Sequence, residues 1–125
     1  MKFYKIHEPD KIIELVAESA KKVIFTSFSE KKYKNIVKSE NYRYAITQNV
    51  AMYFLDTVCG KQSIADVTKT FNFDKSTLYY KIKSVFDSMF LNDERSLIAQ
   101  RLVKDVKSKL DIDHSFSGSP PRGQN

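Results

Sequence analysis

A chain of 125 residues has room for one domain with a modest core, and its 42% hydrophobic and 29% charged residues are those of an ordinary globular protein, not of a disordered or fibrous one. A single cysteine, Cys59, excludes an internal disulfide, and no apolar run approaches the roughly 20 residues that a membrane-spanning helix needs. The formal net charge of +6 suits a polyanionic partner, because each lysine or arginine placed on a phosphate releases a counterion.

Few glycines and prolines and long stretches of 3.6-residue periodicity predict an all-α domain of five to six helices. The N-terminus, MKFYKIHEPDK, has no apolar core of a signal peptide, so a cytoplasmic setting is expected. The first amphipathic stretch runs from Lys11 to about Phe25, with Asp10 as its expected N-cap and Ile12, Ile13, Val16, Ala20 and Val23 as its apolar stripe. Ser29 is the expected cap of a short basic segment, EKKYKNIVK, whose apolar side is Tyr33, Ile36 and Val37. Asn41 is the expected cap of the next helix, which runs to Cys59 with Gly60 as its C′ residue. That helix is apolar on several sides, through Tyr42, Ala45, Ile46, Val50, Met52, Tyr53, Phe54 and Leu55, and is therefore expected at the centre. Cys59 reads as packing, since no histidine lies near it in sequence to act as a base.

Two short helices joined by a tight turn are predicted next, over about 63–71 and 75–91. Ser63 caps the first, which turns Ile64, Val67 and Phe71 inward; Asn72 and Phe73 make the turn; and Asp74 caps the second by accepting from the amides of Ser76 or Thr77. In the second helix Leu78, Ile82, Val85 and Met89 form the core stripe, so Lys75, Ser76, Tyr79, Tyr80 and Lys83 face out. This is the layout of a helix-turn-helix, whose second helix enters the DNA major groove. Exposed tyrosines forgo burial unless a partner covers them, and in a groove they bond phosphates or pack on thymine methyls. The base-proximal candidates on this face are therefore Lys75, Ser76, Thr77, Tyr79, Tyr80 and Lys83. Candidates for phosphate contact are Arg43, Lys61, Ser63, Lys69, Lys81, Arg101, Lys104 and Lys107. No Arg, Asn or Gln lies on the exposed face, so strong base discrimination is not written there. Asn92 is the expected cap of a last helix that buries Leu97, Ile98, Leu102, Val106 and Leu110, and residues 112–125 are expected to be a disordered tail.

The run NVAMYFLDTVCGKQSIADVTKTFNFDKSTLYYKIKSV, followed by NDERSLIAQRLVKDVKSKL, resembles the C-terminal DNA-binding domain of the bacterial replication initiator DnaA from about Arg43 to Leu110. The likeness rests on Ala51-Met52-Tyr53, on Ile64, Val67 and Phe71, and on Asp74, Ser76, Thr77 and Leu78. It implies a helical domain, 41–111, that binds double-stranded DNA in a nucleoid-associated bacterial or phage setting; residues 1–40 lie outside the likeness and are expected to be a helical extension, a possible oligomerisation or docking element, with a homodimer possible. The resemblance implies that Asp74, with Ser76 and Thr77, is base-proximal; Lys75 takes the position of the family's signature histidine and Gln48 that of its minor-groove arginine, which adds Gln48 to the candidates for phosphate contact, and the turn Phe71-Asn72-Phe73-Asp74 is one residue shorter and lacks the family's glycines. No phosphate-binding loop accompanies it, so an ATP-driven initiator is not expected. His7 and His114 make no metal-ligand spacing, and no residue set unites nucleophile, base and orienting group, so neither an enzyme, a cofactor, a metal nor a small-molecule substrate is expected. The alternative is a helical protein-interaction or dimerisation module that uses the same exposed aromatic face without DNA.

Overall fold

The computed structural model describes residues 8–59, 69 and 74–116, and these form an all-α domain. Five helices follow one another in the described residues: α1 (Pro9–Phe28), α2 (Lys31–Lys38), α3 (Glu40–Val58), α4 (Lys75–Ser88) and α5 (Glu94–Phe116). The expected short helix over 63–71, with its Ser63 cap, its turn and the preceding Gly60, lies outside the described residues apart from Lys69, which is exposed.

Helix boundaries differ from expectation by one or two residues, each time for a local reason. Glu8, not Asp10, takes the N-cap position of α1, because Pro9 has its φ preset for N1 and no N–H to be capped. Asp10 sits instead in the first turn, where its carboxylate favours the helix dipole. Ser29 does not cap α2, because its hydroxyl turns back to donate to Thr26 O at 2.7 Å and closes α1; Glu30 takes the cap position. Ser39, not Asn41, opens α3: its N–H donates to Ile36 O at the end of α2, and its hydroxyl accepts from Tyr42 N at 3.1 Å. At α5 the cap is Asp93, not Asn92, and both carboxylate oxygens bind Ser96, its amide at 3.0 Å and its hydroxyl at 2.9 Å. Helix α4 stops at Ser88, short of Leu91, and Gln100 of α5 donates 2.8 Å bonds to the carbonyls of Ser88 and Leu91. Helix α5 continues through Phe116, so residues 112–116, expected in a disordered tail, extend it.

Helix α3 is central as expected, and it buries Ile46, Val50, Ala51, Met52, Phe54 and Leu55. Cys59 is part of the same core, and burial pushes its thiol up, which suits packing and not nucleophilic chemistry. Around α3 lie α1 through Ile12, Val16, Ala20 and Val23, α2 through Tyr33 and Val37, α4 through Leu78 and Val85, and α5 through Ile98, Leu102, Val106 and Leu110. Residues 9–38 are therefore not an extension attached to a 41–111 domain, because the two share one core. Polar ties reinforce the α1–α5 packing: Lys109 Nζ donates to Ser19 Oγ at 3.0 Å, Lys22 meets Asp105 at 3.1 Å, and Arg101 grips Glu30 just beyond α1. These pairs run in opposite senses along the chain, so α1 and α5 are antiparallel.

Candidate nucleic-acid interface

The outer face of α4 carries Ser76, Thr77, Tyr79, Tyr80 and Lys83, and the side chain of Lys75 lies outside the described ones. Asp74 caps the helix with an extended backbone and accepts from Thr77 N at 2.7 Å. The Thr77 amide and hydroxyl, and then the Ser76 amide, hold the Asp74 carboxyl below its usual value. Its charge is thus committed to the helix N-terminus. Ser76 and Thr77 are exposed in the first turn. Leu78 and Val85 are buried, which leaves Tyr79 69% and Tyr80 73% exposed. No helix among the described residues buries these tyrosines.

The cations are distributed differently from the sequence expectation. Lys83 is exposed on α4, but its ammonium pairs with Asp87 at 2.8 Å one turn on, and hydrogen bonding to that carboxylate pushes the Lys83 pKa up. Lys81 lies on the side facing α3, with Nζ 3.4 Å from Asn49 Oδ1. Arg43 donates to the carbonyls of Val37 at 2.6 Å and Lys38 at 3.0 Å, so its guanidinium closes the C-terminus of α2 and is already committed within the fold. Arg101 is committed in the same way: Nη2 donates to Glu30 Oε1 at 3.0 Å, Nη1 donates to Oε2, and the guanidinium lies 4.5 Å from the Tyr33 ring centre. The hydrogen bond from Arg101 holds the Glu30 carboxyl below its usual value, against a smaller opposing effect of burial. Gln48 donates to the Tyr44 hydroxyl at 3.0 Å on α3. Lys104 and Lys107 are exposed on α5, away from any ion pair among the described residues. Lys61 and Ser63 lie outside the described residues.

A groove of about 670 Å³ runs beside this face, between α3, the C-terminal half of α4 and the start of α5. Tyr42, Asn49, Tyr80, Asp87 and Arg95 are among its lining residues. The Tyr42 hydroxyl donates to Arg95 O at 3.3 Å, and the Arg95 guanidinium lies 5.1 Å from the Tyr42 ring centre. Burial pushes the Tyr42 phenol up to about 12, with Asp93 adding to the rise and Arg95 opposing it.

Sequence reasoning missed three exposed residues of the same region: Phe86 at 54%, Phe90 at 73% and Leu91 at 50%. The Phe86 and Phe90 rings meet edge to face, 5.4 Å between centres. The signal was available, since positions 79, 83, 86 and 90 share one side of a helix at 3.6-residue spacing. Among the described residues no group of His, Cys, Asp and Glu is arranged to hold a metal ion, and no helix is long and apolar enough to cross a membrane. No family model, no curated protein and no solved structure matches this chain.

Proposed function

We propose that this chain is a non-enzymatic double-stranded DNA-binding protein, a regulator of transcription or replication, that presents the first half of α4 to the major groove. The observation that carries it is the exposure of Tyr79 and Tyr80, at 69% and 73%, directly after a capped helix start that also exposes Ser76 and Thr77. The net charge of +6 supports a polyanionic partner. A helix-turn-helix formed with residues 63–71, and the likeness to the DnaA DNA-binding domain, belong to the same proposal. With no arginine, asparagine or glutamine on the outer face of α4, selectivity is expected to be weak or shape-based, and an origin box is not proposed as its target.

Selection of bound sequences from a random duplex pool tests the proposal. Enrichment is expected, and Tyr79→Ala with Tyr80→Ala should weaken duplex binding by about 1–3 kcal/mol if both rings contact DNA. No enrichment, together with unchanged weak binding by the double variant, excludes α4 as a DNA-reading element.

A second reading is favoured by Phe86, Phe90 and Leu91, whose exposed apolar surface continues the α4 face beyond its polar start. In that case the face docks a protein, including a second copy of this chain. Light scattering of the full chain and of Phe86→Ser with Phe90→Ser distinguishes self-association from a monomer.

A further inference from the structure

Among the described residues, α2 carries a group of exposed lysines without ion pairs. Helix α2, KKYKNIVK, contains four lysines and no acid. Tyr33 and Val37 are buried at 2% and 0%, which turns Lys31, Lys34 and Lys38 to the opposite side as one exposed stripe at i, i+3, i+7. None of these three makes an ion pair among the described residues. Glu30, the carboxylate at the head of the helix, is neutralised by Arg101, and the next along the chain is the exposed Glu40. Several cations elsewhere are engaged, Lys83 with Asp87, Lys22 and Lys109 with Asp105, and Arg43 with backbone carbonyls, while Lys104 and Lys107 on α5 are exposed without an ion pair among the described residues. On α1 the exposed lysines alternate with Glu14 and Glu18.

We infer that the Lys31–Lys34–Lys38 stripe is a phosphate-backbone clamp for duplex DNA, separate from α4, and supplies much of the sequence-independent affinity; this rests on the DNA-binding function proposed above. A free lysine releases a condensed counterion when it meets a phosphate, whereas a paired one must first lose its carboxylate. The stripe is also held in place. Tyr33 lies in the core beneath the Arg101 guanidinium, and Arg43 fastens the last carbonyls of α2. From Lys31 to Lys38 the helix rises about 10 Å, the axial rise of about three phosphates on one strand. Helix α2 packs on α1, α3 and α5, while α4 packs on α3 and α5, so the two surfaces belong to different sides of shared supports.

The test is fluorescence anisotropy of the full chain on a labelled random-sequence duplex over a salt series. Lys34→Gln with Lys38→Gln, both exposed and outside the core, should lower the slope of log affinity against log salt by about 2, or roughly 50-fold in affinity at about 0.1 M salt. The matched variant Lys11→Gln with Lys21→Gln on α1 removes the same charge and should leave the slope unchanged. Circular dichroism checks that both variants fold. An equal loss in both variants assigns the effect to net charge and overturns the clamp. An unchanged slope in the α2 variant, with binding still weakened by Tyr79→Ala and Tyr80→Ala, overturns the clamp and keeps the α4 proposal. Absence of duplex binding by the natural chain overturns both.

Discussion

At the scale of single residues, several side chains whose type suggests ligand contact serve the fold instead. Arg43 and Arg101 are the kind of residue that binds phosphate, yet one closes the carboxyl end of α2 and the other joins the α1–α2 corner to α5. A helix-end carbonyl and a nearby carboxylate are fixed acceptors at short range, and they hold a guanidinium without the cost of recruiting a partner from solution. Tyr42 gives the clearest pH signature. Its folded value of about 12 is raised above the ordinary tyrosine value, so the neutral phenol is the form the fold prefers. The stability it contributes is fully present below about pH 10 and is lost as pH rises toward the folded value. A tyrosinate absorbance titration of the folded protein should show one phenol ionising near 12, and Tyr42→Phe should remove that component and reduce the alkaline loss of stability. Retention of the component in the variant would refute the assignment.

At the scale of elements, periodicity is the reliable signal and capping the less reliable one. The core stripes of α1, α4 and α5 are legible as 3.6-residue patterns, and Ile12, Val16, Leu78, Val85, Leu102 and Val106 are buried as the spacing requires. Of the described caps, only Asp74 is the residue expected. The caps of α3 and α5 shift because Ser, Asp and Asn are interchangeable cappers in sequence, whereas those of α1 and α2 shift because Pro9 takes N1 and Ser29 turns back to close α1. Ser39 prevails over Asn41 because it ends α2 and starts α3 at once. Ser39→Ala should therefore destabilise the domain by about 1 kcal/mol, measured by chemical denaturation, whereas Asn41→Ala should leave stability within about 0.5 kcal/mol. The reverse order would place the cap at Asn41.

At the scale of the molecule, the main revision concerns residues 9–38. They look like an extension when the chain is compared with a DNA-binding domain that begins near residue 41, but they fill one side of the core. A chain that starts at Ser39 loses Ile12, Val16, Ala20, Val23, Tyr33 and Val37 from the interior. At about 2 kcal/mol for each buried side chain, the loss is comparable to the whole stability of a small domain. Such a chain should show no cooperative thermal transition by circular dichroism, and a sharp transition would mean that 39–116 is a domain by itself. Among the described residues of α1 and α2, Phe25 and Phe28 are the exposed large apolar side chains. The exposed apolar area of Phe86, Phe90 and Leu91 on α4 and its C-terminal turn is the better place to look for a protein partner.

The all-α class, the central place of α3, the Asp74 cap and the outward face of Tyr79 and Tyr80 follow from the sequence alone. They depend on local periodicity and on side chains acting within one turn of themselves, which a linear pattern records. Only the tertiary structure decides which charges are free. Whether Arg101 meets Glu30, Lys22 meets Asp105, or Lys34 meets no carboxylate among the described residues depends on helices far apart in the chain being brought together, with partners 71 and 83 positions away. For that reason Arg43 and Arg101, chosen in the sequence for phosphate contact, are committed within the fold, while the lysines of α2 join Lys104 and Lys107 as exposed cations.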